Sequence, residues 1–109
     1  MAILTGLMVE SAMSQAAQPL PIELELLEES DRVTVVLVTQ AEVTQRISYT
    51  LEMKGKSSST HKSSSMIHGG ERTEISRMSM NVGENWCARL EVTRQDGSVY
   101  AIVRGPCRD

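Results

Sequence analysis

From Pro21 onward, apolar and polar residues alternate with a period of two, the pattern of half-buried β-strands. Ile22, Leu24 and Leu26 alternate with Glu23 and Glu25, which predicts a strand with one charged face. Glu28 to Asp31 forms a polar turn. The run from Arg32 to Gln40 then sets Val33, Val35, Leu37 and Thr39 on one face and Val36 and Val38 on the other. A β-branched strand that is apolar on both faces belongs at the centre of a sheet. Arg46 to Lys54 alternates cleanly, with Ile47, Tyr49, Leu51 and Met53 inward and Ser48, Thr50, Glu52 and Lys54 outward, and Gly55 ends it.

The segment Ser57 to Ser65 holds six serines in nine residues. It suits a low-complexity linker, or a polar edge strand with its approach loop. The second reading is preferred because Met66 and Ile67 resume apolar character before the turn His68-Gly69-Gly70. Thr73 to Val82 offers Ile75, Met78, Met80 and Val82, and Gly83-Glu84-Asn85 is the next turn. Trp86, Ala88, Leu90 and Val92 alternate with Cys87, Arg89, Glu91 and Thr93, with Trp86 opening a core strand. Asp96-Gly97 is a hairpin signal, and Val99, Ala101 and Val103 return on the partner strand before Pro106 closes the domain. About seven short strands with regular turn signals predict an all-β fold, an antiparallel immunoglobulin-like β-sandwich over residues 21–109. A small β-barrel competes, since strand count does not separate open from closed sheets.

The chain has 109 residues, room for one domain. It has one Trp, two Tyr and no Phe, so the core must be built from Val, Ile, Leu and seven Met. The net charge of −3 argues against a general nucleic-acid binder. No apolar run approaches the roughly 18 residues of a membrane-spanning helix, so no membrane partner is expected. Residues 1–20 stand apart: an apolar stretch from Ala2 to Val9 gives way to small residues, with Ser14 and Ala16 at −3 and −1 of a plausible signal-peptidase cut. No Lys or Arg precedes that stretch, and Glu10 follows it closely. A signal remnant and a disordered N-terminal tail both fit, and neither belongs to the fold.

Cys87 and Cys107 form an even pair in a short chain with a candidate export signal, which favours a disulfide. If Arg94 pairs with Ser98 across the hairpin, Cys87 lies opposite Gly105, and Cys107 is its diagonal neighbour on the same face. A bridge then needs local bending at Gly105 and Pro106. Two unpaired thiols remain the alternative. Two cysteines alone make no zinc site, and their spacing is not that of a redox pair.

Charge is uneven. Residues 1–44 carry a net −6, residues 45–77 a net +3, and residues 78–109 balance. The basic stretch is either a solvated surface whose lysines guard a strand edge or a patch that meets a partner. Imidazole and thioether groups at His61, His68, Met66, Met78 and Met80 could suit Cu(I). Met78 and Met80 share a strand face, however, and Met fills small cores that lack Phe, so packing explains them better. No Ser/His/Asp constellation is implied by the serine run beside His61, and neither an enzyme nor a cofactor is expected.

The segments YTLEMKGKSSS from Tyr49 to Ser59, the turn His68-Gly69-Gly70, Gly83, WCARLEV from Trp86 to Val92, and Asp96-Gly97 come in an order and spacing that resemble the periplasmic curli-amyloid inhibitor family of CsgC/CsgH type. The CsgH branch is the nearer. The Cys-x-Cys pair of the CsgC branch is absent, so the resemblance carries no redox role. It implies a small immunoglobulin-like sandwich in the periplasm, a monomer that keeps curli-type amyloid subunits from assembling early through weak, transient contacts. Lys54, Lys56, His61 and Lys62, with the serines around them, are the candidate partner-binding residues. A fimbrial or surface immunoglobulin-like interaction module is the alternative.

Overall fold

The computed structural model describes residues 20–108, and the leader or tail expected over residues 1–20 lies, apart from Leu20, outside them. Seven strands follow one another: β1 (Ile22–Glu29), β2 (Arg32–Thr39), β3 (Gln45–Lys54), β4 (Ser58–Ile67), β5 (Thr73–Asn81), β6 (Cys87–Thr93) and β7 (Val99–Arg104). They form two separate antiparallel sheets, ordered β1-β2-β5 and β4-β3-β6-β7. The arrangement is a sandwich, and among the described residues the closed barrel is not realised. In the immunoglobulin constant topology the fourth strand joins the first sheet. Here it pairs with β3, because the turn at residues 55–57 is tight, closed by the Gly55 N–H donating to the Ser57 carbonyl at 2.8 Å.

The alternating residues meet between the sheets. Ile22 and Leu24 of β1, Val33, Val35 and Leu37 of β2, Ile47, Tyr49, Leu51 and Met53 of β3, and Ala88, Leu90 and Val92 of β6 make one buried cluster, with Trp86 beside β6. Burying each of the larger side chains contributes about 1.5–3 kcal/mol before entropy is counted. β2 is central and buried on both faces from Val33 to Thr39, as its sequence requires. Met78 and Met80 pack half-buried against the core, in keeping with gap-filling.

β1 runs on to Glu29, so the turn expected over four residues shrinks to Ser30 and Asp31. Ser30 takes the left-handed conformation that this tight link needs, with φ 39°. In β5, Ser76 opposes Leu37 and Glu74 opposes Val38, which leaves Ile75 as an extra residue. That bulge shifts the alternation by one and lets Ile75 and Met78, three apart, both reach the core.

The β6–β7 hairpin has the register read from the sequence. The Arg94 N–H donates to the Ser98 carbonyl at 2.8 Å, and Ala88 pairs with Arg104. Cys87 and Cys107 are joined by a disulfide, with Cα atoms 4.6 Å apart. The bend sits at Gly105 (φ 102°), where a Cβ would lie 2.7 Å from the Trp86 ring, and at Cys107 (φ 50°). In the last strand the apolar trio noted in the sequence is not the set that packs inward. Tyr100 and Ile102 pack toward the core, whereas Val99, Ala101 and Val103 point outward and are exposed. The register forces this, since the buried Val92 and Leu90 of β6 stand opposite Tyr100 and Ile102.

Candidate functional site

The wider sheet ends in β4, the serine-rich strand, which is a free edge. Its partner register places Lys62 opposite Thr50, Thr60 opposite Glu52, Ser58 opposite Lys54 and Ser64 opposite Ser48. All of these side chains stand on the outer face, away from the core. β6 continues the same face with Thr93, Glu91 and Arg89 opposite Ser48, Thr50 and Glu52. The result is a polar, hydroxyl-rich surface with Lys54, Lys62, Arg46 and Arg89 set among Glu52 and Glu91. A shallow groove of about 360 Å³ crosses it, lined by Ser48, Tyr49, Thr50, Lys62, Ser63, Glu91 and Thr93.

The four candidate residues do not form one cluster. Lys54 and Lys62 share the outer face, but they sit four residues apart in register, about 13–14 Å along the strands. That exceeds the roughly 8 Å screening length at physiological salt, so they act as separate charges. Glu52 stands between them and lies 3.8 Å from the Lys54 ammonium. Lys56 is exposed in the adjoining turn. His61 is on the other face: it pairs with Leu51, and its ring tilts against Tyr49 with centroids 5.8 Å apart. Neither Lys56 nor Lys62 takes part in the ion pairs among the described residues. Lys62 thus shares with Arg46 the lack of an ion-pair partner on this strand surface, among the described residues.

The alternation of hydrogen bonds fixes which backbone groups are free. With Arg94 and Ser98 paired across the hairpin, the phase carried through β6 and β3 turns the amides and carbonyls of Thr60, Lys62 and Ser64 to the open edge. The residues whose backbones are free are therefore those whose side chains face outward. A strand arriving here meets hydroxyls and one lysine in the same row. Glu91, Arg89 and Thr50 complete this surface, and their outward positions in alternating strands were the signal for them; what the sequence does not tell is that β3 lies between β4 and β6.

His68 is exposed beyond the end of β4, away from Met78 and Met80 in the β5 face of the core. Among the described residues no group of three or more His, Cys, Asp or Glu side chains is placed to hold a metal ion.

No family model matches the chain, and neither does any curated protein. Solved structures do. The Escherichia coli curli protein CsgC superposes with a TM-score of 0.55 over 80% of this chain and 97% of its own, at 14% identity. This is the sandwich of CsgC and CsgH. The solution structure of Rhodopseudomonas palustris CsgH matches with a TM-score of 0.51, covering 79% of this chain and 91% of that one at 18% identity. The likeness spans the β1–β7 sandwich, and it agrees with the resemblance that the turn and strand motifs carry. At such identities it speaks for the fold, and the CsgC–CsgH framework is the one on which the β4 surface is mounted.

Proposed function

We propose that the protein is a periplasmic chaperone that delays amyloid formation by curli-type subunits, binding them weakly and catalysing no reaction. The observation that carries this reading is the β4 edge, where free backbone groups and the side chains of Thr60, Lys62 and Ser64 lie in one row. Amyloid subunits assemble by adding strands to exposed edges. A client strand rich in Ser, Gly, Asn and Gln finds hydrogen-bond partners on this edge, while Lys62 and Lys54 discourage a further strand from stacking in register. Such an encounter is short-lived and does not template a fibril. The fold shared with CsgC and the Cys87–Cys107 bridge, which suits an oxidising compartment, support the reading.

Fibrillation of a curli-type subunit, followed by dye fluorescence with and without this protein, tests it. A chaperone of this kind lengthens the lag well below equimolar ratio. Delay only at equimolar amounts, or co-sedimentation of the protein within the fibrils, would assign it instead to the stable interaction modules of fimbriae and surfaces.

A further inference from the structure

Of the four sheet edges among the described residues, β4 is the polar edge proposed for the client strand, and two others carry a device against strand addition. At β1 the Tyr100 hydroxyl occupies both backbone groups of Ile22, and Glu23 and Glu25 follow along the strand. β5 is bent by its bulge at Ile75 and holds the Glu74–Arg77 ion pair. β7 has none. From Val99 to Val103 it carries no charge, and Val99 (57% exposed) and Val103 (47%) lie on the surface with Ala101 between them. The hairpin bond from Arg94 to Ser98 fixes the phase, so Ser98, Tyr100, Ile102 and Arg104 bond toward β6. The amides and carbonyls of Val99, Ala101 and Val103 therefore face outward.

We propose that this edge pairs with a second copy of the chain, β7 against β7 and antiparallel, on a two-fold axis at Ala101. In that register Val99 faces Val103 of the second copy, Tyr100 faces Ile102, and Ala101 faces itself. All edge-facing amides and carbonyls of the two strands find partners. The exposed Val99–Ala101–Val103 rows merge into one apolar strip, and two four-stranded sheets become continuous. At the ends Arg104 comes opposite Ser98 of the second copy, so no like charges meet across the pair. This self-complementarity is what favours a second copy over an unrelated strand. Among the described residues downstream of β7, none obstructs the approach. Residues 105–108 are held on the β6 side by the disulfide, by the Cys107 N–H donating to the Trp86 carbonyl at 3.0 Å, and by the Arg108 N–H donating to Asn85 Oδ1 at 2.8 Å.

A single strand pair buries far less than the roughly 1,200–2,000 Å² of a stable complex, so the dimer forms only at high concentration and the monomer prevails when dilute. Sedimentation velocity up to about 1 mM, paired with an NMR dilution series, tests this. The sedimentation coefficient should rise with concentration, and the shifting amides should centre on Val99, Ala101 and Val103. Ala101→Pro removes an N–H that β6 does not use, so it should weaken the association at least tenfold while keeping the circular dichroism spectrum. Ala101→Lys, which sets two like charges together on the axis, should do the same if proline disturbs the strand. A chain that stays monomeric throughout, shifts centred on β4 or β5, or an Ala101→Lys variant that associates like the wild type would overturn the proposal. None of these results touches the sub-stoichiometric inhibition expected of the β4 edge.

Discussion

The hydroxyl of Tyr100 in β7 donates to the Ile22 carbonyl at 2.9 Å and accepts from the Ile22 amide at 3.0 Å. One side chain thereby replaces the strand that the start of β1 lacks, and it ties the two sheets together across 78 residues of sequence. The Arg94 guanidinium lies 4.8 Å over the same ring, on the hairpin that leads into β7.

Tyr100→Phe keeps the ring and removes both bonds. Two hydrogen bonds to partly buried backbone groups are worth about 1–2 kcal/mol together. Urea denaturation should show that loss with an unchanged slope. A variant as stable as the wild type would mean that water replaces the hydroxyl without cost.

Alkaline pH should act through the same group. Burial raises the Tyr100 pKa above its ordinary value of 10, with the bond to Ile22 and the Arg94 charge opposing it in part. The folded state then holds this proton more tightly than the unfolded chain. Its contribution is whole below pH 10 and is lost as pH climbs through the folded pKa. The melting temperature of the wild type should fall more steeply above pH 10 than that of Tyr100→Phe, the difference isolating this group from the lysines.

Gly105→Ala should be costly for two reasons. The backbone there has φ 102°, and the new methyl would meet the Trp86 carbonyl at 2.6 Å and its ring at 2.7 Å. Destabilisation of about 2–4 kcal/mol is expected, with a changed Trp86 fluorescence spectrum. Gly70→Ala, at φ 82° but in open space, should cost less.

The Cys87–Cys107 ring encloses a separation of 20 residues, which in the chain-entropy picture stabilises by about 3 kcal/mol. Intact mass without reductant should be two hydrogens below the reduced mass. Reduction should lower the unfolding midpoint without dissolving the sheets, because Asn85 still binds Arg108 and β6 still pairs with β7.

Neutralising Lys54, Lys56 and Lys62 together should weaken inhibition of a curli-type subunit, with stability changed by no more than about 0.5 kcal/mol per exposed site. Lys62→Gln alone should account for more of the loss than Lys54→Gln, since Glu52 already offsets Lys54. Inhibition should also decline between low and moderate ionic strength. Equal or better inhibition by the triple variant, with no salt dependence, would show that the edge acts through its backbone and that the lysines are guards.

The strands were legible because period-two alternation is local, and β2 declared its central place by being apolar on both faces. The disulfide was legible as the favoured of two readings, because the hairpin register brings Cys107 to the diagonal of Cys87, and the bend at Cys107 that helps close it was not. The facing of β7 was misleading: Val99, Ala101 and Val103 look like a core set, and only the pairing of Tyr100 and Ile102 with Val92 and Leu90 turns them outward. The bulge at Ile75 was likewise hidden, since it arises from matching β5 to β2. In the β4 region the lysines were visible as a cluster in sequence, yet the strand period sends His61 and Lys62 to opposite faces and Glu52 between the cations.

The position of β2 bears on how the chain reaches its fold. Its segment Val33 to Val38 is uncharged, free of Pro and Gly and rich in β-branched residues, the composition of a cross-β nucleus. One neighbour, β1, arrives through a two-residue turn, but the other, β5, comes only after the whole β3–β4 hairpin. Closing that long loop is slow compared with forming a hairpin. Until it closes, one flank of Val33 to Val38 stays unpaired, so the rate at which β5 docks decides whether a newly made chain folds or itself becomes material for aggregation.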